Sequence, residues 1–461
     1  MNSVVGTGAA RLSRAQALSV MGLILSLVGI GFMSPAAAED LTPVGAEAAA
    51  WDDAPFGLRI PPWTGGWVDG KPDQRTEDIP APHAYDTPLF TITASNHAQY
   101  AELLSEGQKA LFATYPETFT MTVYPSRRTA TMPADVLQAS VDNRGQVELV
   151  NQGSGFEGAV AGVPFPEPTS GIEAMWNHVA RYRTTGFRGY VNSAVTTKSG
   201  DFVVERSYID IVFGYNNPEM MAAASQPMIG WILAKVTAPA TKVGDAYLLH
   251  VPLDRSESET LVWVYNPGTR KTRRIGEVGF DNPAWDGLMT QDQIDMFNGP
   301  FDRYDFKLIG KKPMLVPYNT ERLHSSAVKY EDIITPGHPN AELIRYELHR
   351  MWVVEATLKE GASHIYARRI FYIDEDSWLV LMQDIYDKRG EFWRYGESYA
   401  RQYPQIPLLV NAMQTHYDLQ SRRYVILNMT NEEPQDVEYD HQAPLGHFTS
   451  ASLQRFASRR H

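Results

Sequence analysis

Between Ile344 and Leu358 the chain alternates with a period of two. Ile344, Tyr346, Leu348, Arg350, Trp352, Val354, Ala356 and Leu358 fall on one side of an extended backbone, and Arg345, Glu347, His349, Met351, Val353, Glu355 and Thr357 on the other. Successive side chains of a strand point to opposite faces, so this segment predicts a long strand with one mostly apolar and one mostly polar face. The polar groups that follow fix its neighbours. Glu360 to Ala362 make a short turn into a strand over His364 to Ile373, Asp374 to Asp376 turn the chain again, and Trp378 to Tyr386 return. Asp387 to Gly390 then open a further strand that reaches Tyr399. Three tight turns at such intervals require consecutive antiparallel neighbours.

The same pattern recurs elsewhere. Thr260 to Tyr265 and Arg270 to Ile275 flank an Asn266, Pro267, Gly268 turn, Phe202 to Phe213 and Tyr247 to Pro252 read as strands, and Arg422 to Met429 as the last. Helical spacing is rarer. Tyr100, Leu103, Leu104, Leu111 and Phe112 predict a helix over Asn96 to Tyr115. Ser170 and Glu173 make a capping box ahead of Ile172, Met175, Trp176, Val179 and Tyr182, which predicts a helix over Gly171 to Thr184. A third, brief helix is expected over Gln291 to Phe297. The fold class is therefore mainly β: a large antiparallel sheet, curled by strand twist into a half-barrel around a few early helices.

The amino terminus reads as a secretory signal. Arg11 and Arg14 precede an uncharged run, Ala17 to Phe32, which is too short to span a bilayer. Ala36 and Ala38 give the small residues of a cleavage site. Export to the periplasm with cleavage after Ala38 is expected. Residues 39 to 88 then form a Pro- and Gly-rich extended leader, and 89 to 461 a single domain. The chain has no cysteine, which excludes acylation as a lipoprotein, disulfides and thiolate metal sites. Its net charge of −13 argues against nucleic acid as a partner.

Several stretches resemble a bacterial family of unknown function whose members are exported and have about this chain length. They are Pro62–Gly66 (PWTGG), Gly162–Pro166 (GVPFP), Gly171–His178 (GIEAMWNH) with Arg181 and Tyr182, Asp302–Lys311 (DRYDFKLIGK), Val316–Asn319 (VPYN) and Tyr346–Ala356 (YELHRMWVVEA). Together they span most of the chain after the export segment. The family usually carries Trp where Phe306 stands, an exchange that changes no chemistry. It is grouped with the outer-membrane lipoprotein carriers LolA and LolB, and the resemblance implies an incomplete antiparallel barrel closed by helices around a hydrophobic cavity. Family members often sit beside RND-type exporters and an outer-membrane companion. This chain is far longer than a LolA, so what the resemblance implies is carriage of a hydrophobic molecule or lipid rather than lipoprotein sorting itself.

The candidate ligand wall is the apolar side of the long strand: Tyr346, Leu348, Trp352 and Val354, interrupted by Arg350. These residues could equally pack against a helix. A buried guanidinium needs a partner, either an anionic group on the ligand or an acid on a neighbouring strand, with Asp384 one candidate. Arg270, Lys271, Arg273 and Arg274 could dock a partner or simply solubilise an edge hairpin. Trp63 lies in an aromatic, Gly-rich segment that reads as a lid, a partner-binding strand or a closure of the barrel edge.

Enzymatic signals are weak. Asp374, Glu375 and Asp376 fall at a predicted turn, where Asp is expected for backbone reasons. His441 and His447 lack metal-ligand spacing, and Gly153 to Gly158 lacks the lysine of a phosphate loop. No cofactor or metal is expected. The sequence favours a non-enzymatic periplasmic carrier or chaperone for an apolar cargo. The alternatives are a structural adaptor of an envelope complex and a hydrolase of envelope lipid or polymer.

Overall fold

The computed structural model describes residues 40–72, 74–256, 260–276 and 279–459. The expected export segment, 1–38, lies outside them. Strands β1 (Phe90–Ile92) and β2 (Met121–Val123) flank helix α1 (Glu106–Thr114). Helix α2 (Ala134–Asp142), a small hairpin of β3 (Glu148–Val150) and β4 (Gly155–Glu157), and helix α3 (Gly171–Val179) follow. The chain then runs through β5 (Gly186–Thr196), β6 (Phe202–Phe213), a short α4 (Pro218–Ala223), β7 (Met228–Ala238), β8 (Ala246–Pro252), β9 (Leu261–Asn266) and β10 (Lys271–Ile275). A second small hairpin, β11 (Pro283–Ala284) and β12 (Met289–Thr290), leads to β13 (Tyr304–Pro317) and the one-turn α5 (Tyr330–Ile333). The carboxyl-terminal part supplies β14 (Tyr346–Leu358), β15 (Arg368–Asp374), β16 (Val380–Tyr386), β17 (Phe392–Tyr403), β18 (Leu408–Asp418), β19 (Arg423–Met429), β20 (Glu438–Tyr439) and α6 (Ser450–Ser458).

Among the described residues, sixteen strands form one sheet, ordered β1-β2-β14-β15-β16-β17-β18-β19-β5-β6-β7-β8-β9-β10, with β13 paired to β14 and β20 to β5. Pairing is antiparallel except where β2 meets the start of β14 at Val123 and Tyr346. The path runs from the short β1 to β10 without closing, so the sheet is not a barrel. The predicted β14 to β17 meander is present in order, and β6 matches its predicted bounds.

Local sequence corrects the helices. The run expected as one helix over Asn96 to Tyr115 is a 3-10 segment, His97–Leu103, followed by α1. Leu104 is extended, and Ser105 opens a new helix through a capping box with Gln108. The backbone N–H groups of Glu106 and Gly107 donate to Asp384 at 3.1 and 2.9 Å, so a carboxylate from β16 anchors the new start. Gly107 is required there, because a Cβ would fall 1.9 Å from the Tyr395 ring. α3 begins at its predicted capping box but stops at Val179, five residues early. Arg181 and Arg183 instead leave the helical path to reach Asp295, at 2.5 and 3.0 Å. The expected helix over Gln291 to Phe297 shrinks to one 3-10 turn, Gln291–Gln293, because Asp295 and Met296 both take positive φ.

α3 is too short to be stable alone, and packing holds it. Ala174, Met175, Trp176 and Val179 join Val354, Ala356, Phe371, Ile373, Trp378 and Val380 in one apolar cluster, which Val44 and Ala46 complete. The larger aliphatic and aromatic side chains among them each contribute roughly 1.5–3 kcal/mol on burial. A second cluster sits under α6, where Leu453 and Phe456 meet Val212, Trp231, Leu233 and Leu248. Residues 40–63 form no named strand yet are tied down. Trp378 Nε1 donates to the Val44 carbonyl at 2.9 Å, Trp63 N to Ala48 O at 2.9 Å, and Trp63 Nε1 to Ala130 O at 3.2 Å. This stretch is a strap across the β15–β16 end of the sheet.

Candidate functional site

The alternation of β14 predicts a mostly polar face opposite a mostly apolar one, and as far as Val354 the structure buries both. Arg345, just ahead of the strand, Glu347, His349 and Met351 are buried, as are Tyr346, Leu348, Arg350 and Val354 on the other side, whereas Glu355 is half-buried and Thr357 exposed. A buried charge must be paired, and β14 lies at the centre of a network that supplies the partners. Arg350 donates from Nη1 to Glu375 at 3.2 Å and from Nη2 to the Ala49 carbonyl at 3.1 Å, with Nε 3.3 Å from Glu47. Its partners are thus a turn acid and the strap. Asp384, the neighbour-strand partner suggested by sequence, is taken by α1 and by Tyr372 Oη at 2.8 Å. Lys311, opposite Trp352 in register, donates to Glu375 at 2.8 Å and to Glu47 at 3.2 Å.

The turn acids form the second half of the site. Arg128 grips Asp376 through Nε at 2.8 Å and Nη2 at 2.6 Å, and lies 3.5 Å from Glu375. Burial opposes the charge on Arg128, but Asp376 outweighs it and holds the guanidinium pKa above its usual value. Burial likewise pushes Asp376 up, and Arg128 brings it below the usual carboxylate range. Asp374 differs. Burial, reinforced by the adjacent Asp376, raises its pKa to about 6. Its Oδ2 accepts from Tyr318 Oη at 3.1 Å, Ser377 N at 3.0 Å and Ser377 Oγ at 2.6 Å. Its Oδ1 is buried and accepts no hydrogen bond from the protein.

On the same side, Glu347 accepts from Arg127 N at 2.7 Å and Asn319 Nδ2 at 2.9 Å, and pairs with Arg345. Burial raises its pKa, yet His349 and Arg345 bring it below the usual value. His349 bonds Glu347 through Nε2 at 3.2 Å, stacks on Tyr318 with centroids 3.9 Å apart, and places Nδ1 3.9 Å from Asp374 Oδ1.

The remaining predicted residues are spread out. Tyr346 donates to Glu397 at 3.2 Å, together with Tyr395 at 3.2 Å and Tyr399 at 3.1 Å. Burial raises the Glu397 pKa to about 7. Leu348 and Val354 are fully buried. Trp352 is half-buried, stacks on Trp378 at 6.1 Å, and carries Lys311 Nζ 4.8 Å over its ring, with no protein partner for its indole N–H. Trp63 is half-buried in the strap. Arg270, Lys271, Arg273 and Arg274 are exposed on the β9–β10 hairpin, far along the sheet order from β14.

Sequence reasoning saw the acids at 374–376 as a turn and found no companion for them. The turn is real, but Glu47, Arg128, Lys311 and Glu347 converge on it from distant segments. It also dismissed His441 and His447, which lie 3.0 and 2.9 Å from the two oxygens of Asp210. They border a recess of about 300 Å³ that Arg188, Tyr208, Phe456 and Arg459 also line. Neither grouping has a local sequence signature.

The model of the family described as "Protein of unknown function (DUF1329)" matches residues 91–454. An uncharacterized protein of Pseudomonas aeruginosa, PA3922, is 40% identical over 444 residues, covering 94% of this chain and 96% of that protein. Among solved structures, the chain is similar to a DUF1329 family protein from Desulfovibrio piger (TM-score 0.41, 15% identity, 61% of this chain and 95% of that one). It is also similar to the LolA superfamily protein NE2245 from Nitrosomonas europaea (TM-score 0.37, 12% identity, 61% and 98%).

Proposed function

Given that this chain belongs to the DUF1329 family, we propose that it is a non-enzymatic carrier for a hydrophobic, lipid-like cargo, working in the periplasm. The observation that carries this reading is the construction of the apolar cluster over β14 to β16. One side of it is closed by Val44 and Ala46 of the strap, which adds no strand to the sheet. Hydrogen bonds, ion pairs and the packing of Val44 and Ala46 hold the strap, none of them part of the sheet ladder, so it can lift without breaking the sheet. Displacing it uncovers Trp352, Val354 and Trp378, an aromatic and aliphatic surface suited to apolar ligands. Arg350 and Lys311, released from Glu47, stand at the rim of that surface, where a cargo's anionic group would meet them. Burial of the cargo's apolar area supplies the affinity, at ~25 cal/mol per Å² less the ordering costs. Delivery to an RND-type exporter or an outer-membrane partner belongs to the same proposal.

One observation favours a second reading, a solid-cored adaptor of an envelope complex: Tyr346, Leu348 and Val354 are already covered by protein. Native mass spectrometry of protein purified from periplasm without detergent, followed by organic extraction, separates the two. A stoichiometric apolar compound supports the carrier and names the cargo. A clean protein that also takes up no fluorescent lipid probe refutes the carrier and leaves the adaptor.

A further inference from the structure

We propose that His349, Asp374 and Asp376 form a binding site for one divalent transition-metal cation. Each offers a ligand atom, and these atoms lie within 4.8 Å of one another in a buried setting. Ligands at about 2.1 Å from a tetrahedral ion are about 3.4 Å apart, so modest side-chain closure completes the geometry. The inference does not depend on the carrier reading.

Two features besides proximity point to a cation. The first is Asp374 Oδ1, a buried carboxylate oxygen without a donor. Such an oxygen is costly to leave unmatched. Its sister Oδ2 is held by Tyr318 and Ser377, which fixes the carboxylate plane. The 3.9 Å between Oδ1 and His349 Nδ1 is too long for a hydrogen bond and suits two ligands of one ion. The second is the support of the imidazole. Its other nitrogen bonds Glu347, which Asn319 and the Arg127 amide hold in turn. A carboxylate behind a histidine sets the tautomer that frees the opposite nitrogen for a metal.

Charge agrees with this. Asp86, Glu47, Glu347, Glu375 and Asp376 face Arg127, Arg128, Lys311, Arg345 and Arg350 across the linked pairs, five carboxylates against five cations. Asp374 adds a sixth carboxylate that, among the described residues, faces only His349, at 3.9 Å, which leaves one negative charge to be matched. Arg128 already occupies Asp376, but each carboxylate oxygen keeps a second lone pair. An imidazole with two carboxylates suits Zn²⁺ or Mn²⁺ better than Mg²⁺ or Ca²⁺, which favour all-oxygen shells. A recess of about 10 Å³, bordered by Asp376, Ser377, Thr131 and Met132, adjoins the site and has the size for a single water or ion.

The test uses the whole exported chain, stripped with a chelator, loaded with Zn²⁺ and desalted. Elemental analysis and titration calorimetry then give stoichiometry and affinity. The expected result is one Zn²⁺ per chain, with His349→Gln and Asp374→Asn each weakening binding at least ~100-fold while retaining native circular dichroism. If either variant does not fold, X-ray absorption of the Zn²⁺-loaded wild type decides, the expected shell being one imidazole with oxygen ligands. A chain that retains no zinc overturns the proposal. So does full affinity in both folded variants, or a shell of two imidazoles, which would place the ion at His441 and His447.

Discussion

Trp378 donates its indole N–H to the Val44 carbonyl at 2.9 Å, and so links the β15–β16 turn of the meander to the strap that covers it. Trp378 itself is fully buried and sits at φ 59°. Replacing it by Phe keeps an aromatic ring but leaves a buried carbonyl unmatched, at a cost of about 1–3 kcal/mol before any packing loss. Trp378→Phe should therefore speed hydrogen exchange in residues 40–63 more than in β17 or β18. Hydrogen exchange followed by mass spectrometry reads this directly. Uniform acceleration across the chain would mean that the bond does not latch the strap.

The contacts of Arg350 set a second expectation. Removing one partner of a buried ion network strands the others, typically at 3–5 kcal/mol. Arg350→Met should lower the urea midpoint accordingly. Adding Glu47→Gln should restore much of the loss, because Arg128 and Lys311 then balance Asp376 and Glu375, which both stay paired. Urea denaturation of the single and double variants checks both halves. Arg350→Lys should not rescue, since one ammonium cannot span Glu375, Glu47 and the Ala49 carbonyl as the guanidinium does.

These two sites show where the sequence was legible. β14 announced itself because its alternation is unbroken, and β15 to β17 followed from turn residues such as Gly361 and Gly390, both at positive φ. β13 was missed although it pairs with β14 along its whole length. Its Lys307, Lys311, Lys312 and Pro313 blur the alternation, and a bulge between Leu308 and Gly310 shifts the register. Alternation marks the polar side of β14 but not its burial, because it reports polarity and not exposure. Its partners come from far away, Glu47 N reaching Glu375 across 328 residues, and no local pattern encodes such a contact.

Glu397 gives a pH prediction. It is buried among three tyrosine hydroxyls, and burial lifts its pKa from 4.5 to about 7. A raised carboxyl pKa means that the folded state holds the proton more tightly than the unfolded one. The stabilisation is then complete below pH 4.5 and is lost as pH rises to 7. Glu397→Gln mimics the protonated form, so it should match the wild type near pH 4.5 and exceed it by about 3 kcal/mol above pH 7. Parallel urea titrations from pH 4.5 to 8 measure the difference, in which the other titrating groups cancel. A constant offset across that range would show that Glu397 does not titrate there.

The cations of the β9–β10 hairpin lead to the last prediction, which concerns association rather than folding. β10 ends the sheet order, and it pairs with β9 alone among the described strands. An unpaired strand edge invites addition of another chain, and charged side chains on it discourage that. Lys271, Arg273 and Arg274 lie on this edge strand, with Arg270 at the turn before it, and all four are exposed. Among the described residues Arg274 alone of the four approaches an aromatic ring, 6.0 Å from Trp263, so little folding energy rests on them. Replacing all four by Ser should leave the urea midpoint nearly unchanged yet promote self-association as concentration rises. Sedimentation velocity over a concentration series tests this. If the variant stays monomeric but loses binding to a membrane or an envelope partner that the wild type retains, the cluster is a docking surface and not an edge guard.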